Sequence, residues 1–338
     1  MKEIIQFWKS GNRATFVVSF KTNSMNQFQW ENNNRYNDFS GHFRNKFNGR
    51  VQKISIDAGF TCPNRDGLHG TGGCSYCNNL TFSPAYCNLQ KSVSDQLTEG
   101  IKFFSAKYNS MQYLAYFQAY SNTYAPLEIL KNLYEEALRQ EKVIGLVIAT
   151  RPDCVTIEIL DYLQELSQKY YIMVEFGVES HLNVSLDRMN RGHRFEESVW
   201  ALQETAARNI HNCAHLILGL PGETEVDWLD QARVISGLPV ENLKLHQLQI
   251  HKNTRMHDEY VHNPAEFKMF TVDEYLDLCV RYLELLNPKV IVERFVSEAP
   301  DDLLVAPRWG LKNFEFTAKL GKLLLDKNTW QGRLYTRY

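Results

Sequence analysis

Cysteine occurs three times in one short stretch, Cys62-Pro-Asn-Arg-Asp-Gly-Leu-His-Gly-Thr-Gly-Gly-Cys74-Ser-Tyr-Cys77. Cys74 and Cys77 form a C-x2-C pair, and Cys62 reaches them across eleven residues that include four glycines. Glycine accepts positive φ and has no side chain to clash, so such a loop can wrap tightly around an inorganic core. Three thiolates are one ligand short of a closed tetrahedral zinc site or a fully ligated 4Fe–4S cluster. A site with one coordination position left open favours catalysis over structural stapling. His69 within the loop and Cys87, ten residues after Cys77, are the competing fourth ligands.

The remaining composition is that of an ordinary globular enzyme. The 338 residues are 44% hydrophobic and 22% charged, enough to bury one large core or two modest ones. Seven cysteines in so long a chain do not make a secreted disulfide framework; an odd count with three clustered suits metal binding in a reducing cytoplasm. Cys154, Cys213 and Cys279 are scattered and read as inert buried thiols. No apolar run approaches the roughly 20 residues of a membrane span, and the patch at 15–20 is too short for a signal-peptide core. The chain is therefore expected to be cytoplasmic.

The elements that must hold the cysteine loop follow from periodicity. Apolar β-type runs recur at 51–57, 112–117, 143–150, 171–178, 213–220 and 243–250, with helical segments between them. Leu127, Leu130, Tyr134 and Leu138 share one helix face, as do Leu160, Leu163 and Leu166. Near-continuous apolar strands indicate a parallel sheet covered by helices. From the second run onward the starts are about 30–40 residues apart, the length of one βα unit. Six such units predict a full or partial (βα)6 barrel, with a doubly wound sheet as the alternative. In a barrel, chemistry belongs in the loops after the strands, and the cysteine loop follows the first strand. Residues 1–35 read as a polar, poorly ordered N-terminal extension, with Met25 a second candidate start. The core spans 45–288, and 289–338 form a short α/β extension that is basic and aromatic.

Several stretches together resemble the radical SAM superfamily, and within it the YhcC/YtqA-type proteins, relatives of the catalytic subunit of Elongator. Besides the cysteine loop they are Asp57-Ala-Gly-Phe-Thr-Cys62-Pro-Asn-Arg-Asp-Gly, Tyr116-Phe-Gln-Ala-Tyr-Ser-Asn-Thr-Tyr-Ala-Pro126, Ala149-Thr-Arg-Pro-Asp-Cys154 and Asn190-Arg-Gly-His193. Leu218-Gly-Leu-Pro-Gly-Glu223 and Leu243-Lys-Leu-His-Gln-Leu-Gln249 extend the match, which covers about residues 35–335. The resemblance implies a partial TIM barrel whose three cysteines hold a 4Fe–4S cluster with one open iron. It also implies that S-adenosylmethionine (SAM) is cleaved to methionine and a 5′-deoxyadenosyl radical, with electrons from a reductant such as flavodoxin or ferredoxin. The eleven-residue gap departs from the superfamily's commonest three-residue spacing.

Residue by residue, the resemblance puts Tyr76 near the adenine and Ser121, Asn122 and Thr123 at the amino end of SAM. It puts Glu175 and Glu179 at ribose or methionine, and Gly219 and Leu220 beside adenine. Each has a plainer reading. Ser-Asn-Thr is a common turn. Arg151 either grips the SAM carboxylate by a bidentate contact or pairs with Asp153 or Glu175. Gly219-Leu-Pro-Gly-Glu223 is also a tight strand-to-helix turn with Glu223 near a helix start. Of His246 and Gln247, alternation admits only one to the barrel interior.

Charge distribution bears on the partner. Residues 308–338 hold seven Lys/Arg against two Asp/Glu, interleaved with Trp309, Phe314, Phe316, Trp330, Tyr335 and Tyr338; residues 33–55 hold five against one. Both segments could track phosphates and stack bases. Together with the Elongator resemblance this makes tRNA, with a modified wobble uridine, the expected substrate. The rival readings are a zinc protein using His69 or Cys87, a non-catalytic RNA-binding scaffold, and a radical enzyme for a small molecule or peptide.

Overall fold

The computed structural model describes residues 28–30, 32–78, 84, 86–106 and 111–337. Most of the N-terminal extension, Met25 and Tyr338 lie outside the described residues. Residues 28–30 and 32–35 pack against the far end of the chain: Phe28 stacks on Trp30 and meets Trp330, and the Gln331 amide donates to the Arg35 carbonyl at 2.9 Å.

Among the described residues one parallel sheet carries strands β1 (Arg50–Ile56), β2 (Met111–Phe117), β3 (Val143–Thr150), β4 (Tyr171–Glu179), β5 (His211–Leu218), β6 (Asn242–Gln247) and β8 (Ile291–Arg294). The short strand β7 (Ile250–His251) pairs antiparallel with β9 (Leu304–Ala306) outside it. Strand order follows chain order, β1-β2-β3-β4-β5-β6-β8, with no reversal. A doubly wound sheet has a switch point where the order reverses. Its absence here fits a sheet that curls into a partial barrel, with the helices that connect its strands packed on the outer face. β1 and β8 are the free ends of the sheet; side chains bridge them, with Lys53 Nζ 2.6 Å from Glu293 Oε1. The six expected strands are all present. The run after residue 289, expected in an appended region, instead supplies the seventh strand.

Alternation sorts each strand into two faces. Ile54, Ile56, Tyr113, Phe117, Ile172, Val174, Phe176, Leu216 and Leu245 point outward into the main core beneath the helices. Leu114, Val147, Tyr171, Met173 and Cys213 point to the concave face, where Phe43 closes over them. Phe43 belongs to the helix Phe39–Phe47, which Asp38 caps through the Gly41 amide. This helix plugs the N-terminal mouth of the barrel, with Phe43 and Phe47 edge-on to Tyr171. The opposite mouth, at the strand C-termini, receives the cysteine loop.

The C-terminal aromatics are placed differently from the stacking surface expected of them. Phe316, on the helix Asn313–Asp326, is fully buried, and Trp309 stacks parallel to it at 6.1 Å between centroids. Apolar area drives these rings inward wherever a core is available. Phe314, 66% exposed, is the one large aromatic of the segment left broadly open among the described residues. No described helix is long and apolar enough to cross a membrane.

Candidate active site

The loop after β1 is held by its own backbone and by the segment after β4. The Arg65 amide donates to the Cys62 carbonyl at 2.8 Å, the Gly73 amide to Asn64 at 2.8 Å, and the Cys77 amide to Cys74 at 3.1 Å, which closes the C-x2-C turn. From across the mouth, Asn190 Nδ2 donates to the Gly73 carbonyl at 2.8 Å, and the Ser75 amide donates to Met189 at 2.9 Å. Gly73 shows why glycine is needed: its φ is +77°, and a Cβ there would lie 2.9 Å from Arg65 Nε.

Cys62 and Cys74 are buried, Cys77 is half-buried, and none of the three is in a disulfide. Donors converge on their sulfurs. Arg191 Nη1 lies 3.4 Å and Asn64 Nδ2 3.7 Å from Cys74 Sγ. Burial pushes the Cys77 thiol up and the neighbouring Cys74 adds to this, while Arg65 and Arg191 pull it back toward the thiolate. Cationic donors around thiols stabilise the metal-ligating form. His69 is exposed and Cys87 donates to the Ser55 carbonyl at 3.2 Å; neither lines the cavity below the loop, so the zinc alternatives do not assemble.

That cavity, about 220 Å³, runs from the cysteines down the concave face of the sheet. It gathers Tyr76, Ser121, Arg151, Glu175 and Glu179 from the predicted set. Asn122, Thr123, Gly219 and Leu220 do not line it. Asn122 Nδ2 is bound to the Ala149 carbonyl at 2.8 Å, and Thr123 Oγ1 meets Thr150 Oγ1 at 2.7 Å. Gly219 has φ +98° and faces Phe270 and Leu248, and Leu220 is buried in a cluster with Ile217, Leu248 and Tyr76. These four support the lining from behind. His246 and Gln247 both border the cavity although alternation admits one. Gln247 is the last residue of β6, where the pleat ends, and its amide binds the Ser297 carbonyl at 3.3 Å.

Arg151 takes the structural alternative. Its fork grips Asp153 at 2.7 and 2.8 Å and its remaining nitrogen donates to the Arg191 carbonyl at 2.6 Å. The guanidinium that donates to Cys74 is Arg191, which also donates to the Gly177 carbonyl at 2.6 Å and lies 3.5 Å from Glu179. Gly177 is required there, since a Cβ would collide with that guanidinium. Glu179, at φ +66°, and Tyr120, at φ +61°, are non-glycine residues held in the left-handed region at the cavity wall. Such conformations persist where surrounding structure imposes them, and they cluster at functional sites.

Beneath the cavity lies an ion network that the motifs did not announce. Glu175, fully buried, accepts from Lys53 Nζ at 2.7 Å, Lys244 Nζ at 2.6 Å and His215 Nε2 at 3.0 Å. Glu293 takes the same two lysines at 2.6 and 3.2 Å. Burial alone would raise the Glu175 pKa, but Lys244 and Lys53 outweigh it and hold the carboxyl well below the usual range. Both ammonium groups also lie over the Tyr116 ring, at 5.4 and 5.0 Å. The available signal was a lysine at position 53 and another at position 244 inside apolar strands, where a charge must be paired.

The chain matches two family profiles: the Radical SAM superfamily over residues 64–235, and the Radical_SAM C-terminal domain over residues 240–324. YtqA of Bacillus subtilis is 33% identical over 313 residues, covering 92% of this chain and 97% of YtqA. YhcC of Escherichia coli is 33% identical over 274 residues, covering 81% and 87%. A Methanocaldococcus infernus protein named tRNA uridine(34) acetyltransferase is 24% identical over 184 residues, covering 53% of this chain and 33% of that one. The solved structure of archaeal Elp3 from Methanocaldococcus infernus superposes with a TM-score of 0.64 at 16% identity, covering 83% of this chain and 64% of that chain, and shows the same fold. A wide-gapped cysteine loop at the C-terminal mouth of a partial barrel, donors turned on its sulfurs and these profile matches agree: the chain belongs to the radical SAM superfamily, enzymes that use a 4Fe–4S cluster and S-adenosylmethionine.

Proposed function

We propose that this enzyme acts on tRNA, remodelling a side chain on uridine 34 with a radical derived from SAM. When bound, the cluster and SAM supply reductive cleavage to methionine and a 5′-deoxyadenosyl radical. The chain's own residues do the rest. Cys62, Cys74 and Cys77 hold the iron, Arg191 and Asn64 donate to the Cys74 sulfur, and Tyr76, Ser121 and Glu179 border the space where SAM must lie. The plug helix and ion network seal the far end, which shelters a radical from water and side reactions.

The observation that carries the tRNA reading is the stretch shared with the Methanocaldococcus infernus protein named for uridine 34 of tRNA. The cavity is recessed, so an RNA substrate would present one nucleotide swung out of its stack. Exposed Lys312, Lys319 and Lys322 offer phosphate contacts, which makes binding salt-dependent. The reading places the enzyme in the cytoplasm with a flavodoxin- or ferredoxin-type donor. The test compares uridine-34 modifications in cells with and without the gene, then adds purified tRNA to the reconstituted enzyme. A changed modification profile and tRNA-stimulated SAM cleavage are expected. An identical profile with no stimulation refutes the tRNA assignment.

A further inference from the structure

Four arginines line the cavity, and three are engaged. Arg65 donates to the Cys77 carbonyl, Arg151 to Asp153, and Arg191 to Gly177 and Cys74. Arg294 has no ion pair and no side-chain hydrogen bond with any described residue. Its position comes from an irregularity in the pairing of β6 with β8: Leu243 faces Val292, but Lys244 faces Arg294, and Glu293 is the extra residue. A bulge of this kind re-aims side chains. Here Glu293 turns to Lys53 and Lys244, while Arg294 is left facing the cavity.

The charges beneath the cavity then balance without Arg294. Lys53 and Lys244 are matched by Glu175 and Glu293. The one other carboxylate lining the cavity, Glu179, lies beside Arg191. The positive charge of Arg294 is therefore surplus, in a recess whose walls are partly desolvated. His246, on the same strand and face as Lys244, adds a second donor. Its ring nitrogens make no hydrogen bond with a described residue, and its ring lies 5.7 Å from that of His215. Burial, then His215 and Arg294, keep that ring uncharged, so it can donate one hydrogen bond while Arg294 supplies the charge.

We propose that Arg294 and His246 form an anion site in the cavity wall, and that the molecule attacked by the radical docks there through a carboxylate or phosphate. This rests on the reading that radical and substrate meet in this cavity. The guanidiniums that act on the Cys77 sulfur are Arg65 and Arg191, and Arg294 is not among them.

The experiment is equilibrium dialysis of the cluster-loaded, SAM-saturated enzyme against labelled inorganic phosphate and, separately, labelled acetate. One saturable site per chain is expected for at least one of them, and the tighter anion identifies the substrate's group. Arg294→Met should weaken binding about tenfold or more, the loss of a charge-assisted contact, and Arg294→Lys should retain part of it. Exposed Arg337→Met should change nothing. Iron content and SAM affinity should be equal in all four proteins. No saturable binding of either anion, equal binding in Arg294→Met, or binding seen only when SAM is omitted would overturn the proposal. SAM cleavage with dithionite, run in parallel without substrate, separates the two claims: its failure sinks the radical reading, whereas cleavage without anion binding sinks only this site.

Discussion

Replacing Glu175 by Ala would take one carboxylate from two buried ammonium groups. Lys244 has 2% and Lys53 13% of its side chain exposed, so neither can recover its hydration. Lys53 keeps Glu293 at 2.6 Å, but Lys244 is left with Glu293 at 3.2 Å and the Tyr116 hydroxyl at 3.4 Å. Breaking a buried pair by removing one partner costs about 3–5 kcal/mol. Because Glu293 can still serve both lysines, the lower end applies, about 3 kcal/mol. With a urea slope of about 3 kcal/mol/M for a chain of this size, the midpoint should fall by roughly 1 M. The companion variant is Glu175→Ala with Lys244→Met, which removes one charge of each sign and leaves Lys53–Glu293 intact. It should recover about 2 kcal/mol or more as a coupling energy. The assay is anaerobic urea unfolding of the cluster-loaded proteins by far-UV circular dichroism. The sign with pH is fixed: a depressed carboxyl stabilises above its unfolded pKa of about 4.3. That contribution disappears as pH falls through the lower folded value. The gap between wild type and Glu175→Ala is therefore full at pH 7 and closes in acid. A midpoint within about 0.2 M of wild type, or a double variant no more stable than the single, would refute the argument.

Three further outcomes follow from the site. Cys62→Ala, Cys74→Ala and Cys77→Ala should each lose bound iron after anaerobic reconstitution, whereas Cys154→Ala and Cys279→Ala keep it; wild-type iron in Cys74→Ala would remove that ligand. Glu179→Ala should weaken SAM binding by about 1–3 kcal/mol with iron unchanged, measured by calorimetry of the reconstituted protein. Burial, with Arg191 beside it, lowers the His193 pKa to about 3. The unfolded chain therefore binds a proton that the native one refuses, and stability declines from about pH 6.5 toward 3, by about 1.4 kcal/mol per unit for this group. His193→Phe, compared with wild type across that range, should flatten the decline.

The fold was legible because each strand is an apolar run bounded by helical periodicity, and because the order of motifs matched the order of strand ends. β8 was misplaced to an appendage. Its run is separated from β6 by the short β7, the helix Arg255–His262 and the helix Val272–Leu285, a longer interval than those between β2 and β6. The cysteine loop was legible by spacing alone. Arg191 was visible only as part of a quoted motif, because a role as donor to Cys74 depends on a contact 117 positions away. Arg151 shows the reverse: its local partner Asp153, two residues on, takes its fork at 2.7 and 2.8 Å. The C-terminal aromatics looked like a stacking surface in composition, yet Phe316 falls on the inward face of its helix. Net charge per segment cannot tell an exposed lysine from Lys53, whose ammonium closes an internal network.

The free ends of the sheet have a consequence for how the chain folds. β8 receives a backbone bond from outside the sheet, its Val292 amide donating to the Asn37 carbonyl at 2.8 Å, and Lys53 meets Glu293 across 240 positions. The helix Phe39–Phe47 then carries the chain from that edge to β1. The strand made first must wait for the strand made last, so the seam is among the most entropically distant contacts in the molecule. During synthesis the β1–β6 units can pair in turn, each with the neighbour just completed, while residues 36–47 have nothing on β8 to dock against. Cluster loading belongs to a different clock: the cysteine loop's backbone contacts reach as far as Met256, whose amide donates to the Ser75 carbonyl at 2.9 Å, and that segment still precedes β8. The mouth of the barrel can thus be built, and iron received, while its seam still stands open.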